Sequence, residues 1–444
     1  MWRFRNYAGE VVKRWKPAGD PLESYLELAV VDAHDAAIDA LAALVSGAGA
    51  PALALFRRFY ELANILLAGW ENPSGLERVM KEALKDTRLD DHYSGFAERG
   101  VLGAVMPRTS SVGKLVAEST PAMKEFEKGL QSISHGGMLA GVFFIGSSSG
   151  DLANSRLEHA LEFAPFVEAL IGATAGASWQ ILERLSYPRT YQGADARFTV
   201  AAVDAADERA NEEFDQAFPN AFEVVWSVLL GLSSISMEVS EAIGVRGYDP
   251  ARRQSQLMQD CFETGCLAME FLFRGRLAGS AILIRRVFEM SLELQSWARF
   301  EGEMTKRFEN LRDRERTPSA TSLIAKLHGI QDSANQRRTY STLCSVAHGG
   351  MQSHEYLIDG DWKAGFRICP APVFIYRHHR WLLGTLVSTI DAALGGALVI
   401  AAKLNESIAD AHGGYLQLVR HYEGATPELG LVRNEEAELP EEVV

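Results

Sequence analysis

The sequence predicts an all-α protein made of two duplicated helical-bundle domains that dock on each other as an intramolecular pseudo-dimer, and three observations carry the prediction. Long stretches place apolar residues at three-and-four spacing, while no sustained period-two alternation appears, so any sheet is expected to be small. The run Leu55-Phe56-Arg57-Arg58-Phe59-Tyr60-Glu61 returns as Leu283-Ile284-Arg285-Arg286-Val287-Phe288-Glu289, an offset of 228 (289 − 61). That offset holds without a gap from Asp32–Glu61 to Asp260–Glu289, and Asp32, Ala40, Leu44, Gly47, Ala50 and Leu55 recur with the charged residues. Downstream, Leu130-Gln-Ser132-Ile-Ser-His135-Gly-Gly-Met138 recurs as Leu343-Cys-Ser345-Val-Ala-His348-Gly-Gly-Met351 at an offset of 213 (348 − 135). Two fixed blocks joined by a segment of changed length are what a duplicated domain leaves once its loops drift. With only two copies, each must bury its own core or bury it on its twin.

Size and charge agree. A chain of 444 residues is long for one core and suits two domains. The apolar share of 47% and charged share of 23% are those of an ordinary soluble chain. A net charge of −14 repels nucleic-acid backbone and anionic lipid, so RNA is disfavoured as a partner unless a local basic patch forms. Cys261, Cys266, Cys344 and Cys369 all fall in the second copy, and no Cys-x-x-Cys or His-Glu-x-x-His is present, so free buried thiols are expected and no metal or cofactor. The N-terminus carries basic residues without an apolar core behind them, which argues against a secretory signal and for the cytoplasm.

Taken in order, a mixed leader ends at Pro21, and residues 22–46 read as an amphipathic helix with Leu26, Val30, Ala33, Ala37, Leu41 and Leu44 on one side and Asp32, Asp35 and Asp39 on the other. The run Ser46–Pro51 breaks it, and the Arg57 to Trp70 helix follows until Glu71-Asn-Pro-Ser-Gly. A short helix at 76–85 leads to a polar stretch, and Thr120-Pro121 starts a helix that ends at Gly136-Gly137. A long apolar helix at 158–185 closes the first domain, 1–186. Residues 187–219, with Tyr187-Pro188 and the acidic, Ala-rich Asp204 to Glu213, form the expected flexible linker. The second domain, 220–433, opens with a helix at 222–243 and ends with the apolar helix 381–404, followed by an acidic tail at 434–444 expected to be disordered. The 381–404 helix is long enough to span a bilayer, but Asp391 near its centre would cost about 2.5–3.5 kcal/mol there, so a core helix and no membrane are expected.

The charged residues inside the two apolar helices are the candidate site. Arg57 and Glu61, like Arg285 and Glu289, lie four apart and share a face, and Arg58 or Arg286 lies three before the same carboxylate. Buried charges persist only when paired, so each copy is expected to hold a polar stripe inside an apolar helix. Ser132 and Ser345 lie three before His135 and His348, and a Glu, Arg, Ser and His network would satisfy every member. The surrounding His-Gly-Gly also has a structural explanation, a helix C-terminus with a cationic side chain and a glycine cap. His378 and His379 have no counterpart in the first copy and are expected at the surface.

An Arg-rich helix carrying a Glu, paired with a later helix ending in Ser-x-x-His-Gly, resembles the HEPN superfamily and bacterial domain families of unknown function related to it. The resemblance implies paired helical bundles and, in active members, metal-independent cleavage of RNA by an Arg-x4-6-His motif at the shared interface. On that reading His135 and His348 are the catalytic histidines, Arg285 or Arg286, with Arg58 in the first copy, steadies the phosphate, and Lys128, with six residues between it and His135, stands in place of the motif arginine. The matching second-copy positions are Ser341, Thr342 and Leu343. The expectation is therefore an intracellular helical binding or regulatory module in bacterial stress response or phage defence, with a protein partner or small effector and self-association as a homo-oligomer. The alternative is a metal-independent endoribonuclease of HEPN type using His135 and His348.

Overall fold

The computed structural model describes residues 2–14, 21–46, 48–86, 152–185, 187, 200–244, 250–312, 320–347, 357–361 and 365–425. They form helices and one small antiparallel ribbon, β1 (Ile358–Asp361) and β2 (Gly365–Ile368), in which Asp359 faces Arg367. The first half holds α1 (Trp2–Arg14), α2 (Pro21–Val45), α3 (Gly49–Glu71), α4 (Pro73–Asp86) and α5 (Leu152–Arg184), followed by α6 (Val200–Ala217). The second holds α7 (Ala221–Ile243), α8 (Pro250–Phe273), α9 (Leu277–Arg299), α10 (Glu301–Arg312), α11 (Ala320–Ala347), α12 (Tyr376–Leu404) and α13 (Glu406–Ala425). The expected helix ending at Gly136-Gly137 and the acidic tail lie outside the described residues.

The core is organised around α3 and α9, which begin and end 228 residues apart (277 − 49 and 299 − 71). Every residue from Pro51 to Gly69 and from Gly279 to Leu294 is buried, as a helix apolar on all sides requires. Each buried Leu, Ile, Phe or Met side chain on them contributes about 1.5–3 kcal/mol of transfer free energy. Both helices stop alike: the backbone N–H of Asn72 bonds Ala68 O, that of Phe300 bonds Ser296 O, and a new helix starts at the next residue. The neighbours repeat as well. α2 and α5 pack on α3 as α8 and α12 pack on α9, and α1 lies against α2 and α5 as α7 lies against α8 and α12. α11 covers α9, α13 covers α7 and α12, and between the halves α3 meets α8 and α9 while α2 meets α9. A Cβ added at Gly176 or at Gly395 would meet no described atom within 4 Å.

Three expectations change. The segment anticipated as a flexible linker contains α6, which exposes Glu208, Glu212 and Glu213 and buries Phe214 and Phe218. Phe214 packs against Phe273 at 5.6 Å and His379 at 5.8 Å between ring centroids, so apolar burial fixes a helix that composition alone marked as solvated. His379 is fully buried rather than superficial, because the start of α12 is roofed by Phe214 and Phe374. The acidic side of α2 is also interior: Asp32, Asp35 and Asp39 are all buried, with partners arriving from α3, the loop at Ala371 and the α8–α9 turn.

Among the described residues no cysteine forms a disulfide; Cys261 and Cys266 are buried and Cys344 and Cys369 partly so. α7 and α12 are long and apolar enough to cross a membrane, with mean hydropathies of 1.4 and 1.7. In the fold α12 is enclosed by α7, α8, α9 and α13. Gly396 lets it approach α9 closely, since a Cβ there would lie 3.1 Å from the backbone of Leu294 and Gln295, and Asp391 is held by Arg420 of α13 at 3.1 Å.

Candidate functional site

Each half carries two arginine–carboxylate pairs in the same places. In the first, Arg57 Nε donates to Glu61 Oε1 at 3.0 Å along α3, and Arg58 donates to Asp32 of α2. In the second, Arg285 Nε donates to Glu289 Oε1 at 3.2 Å along α9, and Arg286 donates to Asp260 of α8. Arg58 and Arg286 are each only 1% exposed. The sequence spacing left Arg58 and Arg286 within reach of the glutamate one turn on; the structure seats each on the aspartate 26 positions upstream. The reason is geometric. Adjacent arginines on a helix point about 100° apart, so while one runs along the helix to Glu, the next faces the neighbouring helix.

The two pairs therefore differ in kind. Arg58–Asp32 and Arg286–Asp260 bolt α3 to α2 and α9 to α8 in the interior, and Thr264 Oγ1 adds a 3.3 Å bond to Asp260. The Arg–Glu pairs lie toward other elements. Tyr340 on α11 donates its hydroxyl to Glu289 Oε1 at 2.8 Å, stacks on Phe288 at 5.9 Å, and has the Arg285 guanidinium 5.8 Å from its ring centre. Burial works to lower the pKa of Arg285, but the Glu289 carboxylate outweighs it and the cation is held more firmly than usual. Burial and then Glu289 push the Tyr340 phenol up. The Cys344 thiol, one turn further along α11, is also raised by burial. Arg285 pulls it the other way, and so does Arg57 from the first half. The two helices that carry the Arg–Glu pairs also meet, where α3 packs on α8 and α9.

A third buried pair has no twin. Arg253 holds Glu293 through Nε at 3.2 Å and Nη2 at 3.0 Å, and Trp297 Nε1 reaches the same carboxylate at 3.4 Å. The positions 228 earlier are Tyr25 and Ile65. Where the halves meet at α2, Arg276 Nη1 donates to Asp39 Oδ1 at 3.0 Å, and the Ala371 N–H donates to Asp35 Oδ2 at 2.9 Å. These groups, with Gly275, Leu357 and Val373, line a crevice of about 10 Å3, room for one water.

Of the residues singled out in the sequence, Arg57, Arg58, Glu61, Arg285, Arg286 and Glu289 form the centres just described. Lys128, Ser132, His135 and His348 lie outside the described residues, and Ser345 falls in the last turn of α11 with its side chain outside them. Sequence reasoning missed the aspartate partners, although the recurrence of Asp32 as Asp260 was their signal, and missed Tyr340, Cys344 and Arg253–Glu293, which carry no repeat. Among the described residues, no group of three His, Cys, Asp or Glu side chains is disposed to hold a metal ion.

Compared with protein-family models, with curated proteins and with solved structures, the chain finds no match. Fold and site together define its class: an all-helical protein with paired, buried arginine–carboxylate centres.

Proposed function

We propose that the chain is a cytoplasmic binding or regulatory module built from two HEPN-like bundles, residues 1–186 and 220–433, which dock as an intramolecular pseudo-dimer through the 187–219 connection. The observation that carries this reading is that α3 of the first half packs on α8 and α9 of the second, so the two helices that hold the Arg–Glu pairs are in contact. The 228-residue offset of α3 and α9 and the repeated order of their neighbours support duplication. The candidates for gripping a phosphate are committed to carboxylates in the interior, Arg58 to Asp32, Arg286 to Asp260 and Arg285 to Glu289, which favours a scaffold over an enzyme that cleaves a polyanion. The net charge of −14 points the same way, toward a protein segment or small effector as ligand.

The nuclease reading retains one specific observation. Tyr340 of α11 bonds Glu289, and His348, which the resemblance makes catalytic, follows Tyr340 by eight positions in the sequence. One experiment separates the two. Purified protein is incubated with mixed RNA without metal, wild type beside the His135→Ala/His348→Ala double variant. The binding-module reading expects both to leave the RNA intact, and cleavage by wild type that the double variant loses would replace it with the nuclease. The pseudo-dimer is tested by placing a protease site between Pro188 and Thr199. After cleavage the fragments should co-elute on size exclusion, and their separation would remove the docked arrangement.

A further inference from the structure

We propose that the outer face of α7, with the margin of α8 beside it, is a docking groove for a basic amphipathic helix of a protein partner, an inference that rests on reading the chain as a binding module. Only 44% of the apolar stretch of α7 is buried, against 61% for α12. What α7 leaves outside is ordered. Phe222, Trp226, Leu230, Ser233 and Met237 recur at three-and-four spacing and so share one side of the helix. Leu230 is 45% and Met237 58% exposed, while Phe222 and Trp226 are partly buried with their rings stacked at 5.5 Å. The opposite side is fixed to α8: Ser236 Oγ donates to Ser255 O at 2.7 Å, and a Cβ on Gly265 would stand 2.6 Å from Leu229. The outer face is therefore held in place before anything docks on it.

The first half buries the same face. α1 is the counterpart of α7, and at the 228-residue offset Phe4, Ala8 and Val11 fall on Leu232, Ser236 and Val239, all buried. At that offset Asn6 and Gly9 fall on Ser234 and Met237. Both are buried in α1, whereas Ser234 is partly exposed and Met237 stands out. A side that one copy covers is thus open and apolar in the other. The margins select its occupant. On the flank toward α13, Glu223 and Glu241 are exposed, and Glu238, its side chain 44% exposed, meets His412 Nε2 at 2.7 Å. Toward α8, Ser233 Oγ donates to Gln259 at 3.1 Å and Gln259 Nε2 donates to Glu263 at 3.2 Å, so a carboxylate ends that row too. Arg252 and Arg274 stand at the two ends of α8, and Arg274 is bonded to Glu270 at 3.0 Å. An apolar stripe between carboxylates is complementary to a helix whose own apolar stripe is flanked by Lys or Arg. The same charges oppose anionic lipid. They also oppose a second copy, since antiparallel packing centred between Leu230 and Ser233 brings Glu223 of one chain beside Glu241 of the other.

Fluorescence anisotropy of the full chain with two labelled peptides tests the groove. Each peptide has about 15 residues, enough to follow the roughly 22 Å from Phe222 to Met237, and carries leucines at three-and-four spacing. One has lysines on the flanks, the other glutamates at the same places. The lysine peptide should bind saturably and the glutamate peptide should not. Because a net charge of −14 attracts any polycation, two surface variants carry the decision. Leu230→Gln/Met237→Gln leaves the charge unchanged and should weaken binding by roughly tenfold or more. Glu223→Lys/Glu241→Lys should turn the preference toward the glutamate peptide. No saturable binding of the lysine peptide, equal binding of both peptides, or an affinity unmoved in either variant would overturn the groove. So would a dimer in sedimentation that Leu230→Gln/Met237→Gln dissolves, which gives the face to a second copy, or co-sedimentation with phosphatidylcholine vesicles lost in that variant, which gives it to a membrane. Neither variant touches the arginine–carboxylate centres, His135 or His348, so failure here is distinct from failure of the binding-module reading, which the RNA incubation decides.

Discussion

Removing Glu289 is expected to cost far more than removing an exposed glutamate. Its carboxylate is 8% exposed and takes hydrogen bonds from Arg285 at 3.2 Å and Tyr340 at 2.8 Å. Glu289→Ala deprives a buried guanidinium of this counter-charge and a phenol of its acceptor. Breaking one side of a buried ion pair costs about 3–5 kcal/mol. For a cooperative unit of about 200 residues, where each kcal/mol moves the midpoint by roughly 2–4 °C, a fall in Tm near 10 °C follows. Glu303 is the control. It is 43% exposed and bound by Arg307 at 2.8 Å and by Lys326, so Glu303→Ala should stay within about 1 kcal/mol. A second arm tests the cause: Arg285→Met/Glu289→Leu removes both charges at similar volume and should recover most of the loss. Calorimetry or circular-dichroism melts decide. A Glu289→Ala midpoint within about 2 °C of wild type, or a double variant that falls as far as the single one, would refute the reasoning.

The interior bolts should behave as twins: Asp32→Ala and Asp260→Ala are each expected to cost about 3–5 kcal/mol in chemical denaturation, and a difference above about 2 kcal/mol would break their equivalence. Gly275→Ala places a Cβ 2.5 Å from Val373 O at φ 68° and should destabilise by about 3 kcal/mol, read from urea midpoints, with a neutral result showing that the turn relaxes freely. Burial lowers His379 from 6.5 to about 4. Its stabilisation is complete above 6.5 and is lost as pH falls toward 4, about 3 kcal/mol in all. His379→Phe should flatten that part of the stability–pH curve, and an unchanged slope would place the titration elsewhere.

The helices were legible because their signal is local. α2, α7 and α12 begin within a few residues of their periodic patterns, and the Arg–Glu pairs follow from a spacing of four. Even the start of α3 at Gly49, inside the expected break, has a local reason: Pro51 sits in the first turn, where its missing N–H is no loss. What could not be read was which partner each polar group would meet. Asp32, Asp35 and Asp39 lie on one side of α2 and look alike, yet they meet Arg58, a backbone N–H at Ala371 and Arg276, contacts separated by 26, 336 and 237 positions. Periodicity records that a side chain faces inward or outward and not what closes over it. Phe214 and His379 were misplaced for the same reason: each is covered by an element far away in the chain.

The 228 residues that separate α3 from α9 also set a clock. At roughly 5–20 residues per second, ribosomal synthesis leaves α3 waiting about 10–45 s before α9 emerges to cover its outward face. During that interval the nascent first half holds Arg57 and Glu61 paired along one helix, a bond that needs nothing downstream, while the Arg58–Asp32 bolt closes onto the helix already made. The pairs confined to the first half are thus complete in a half-finished chain, whereas Asp39 waits for Arg276 of the second.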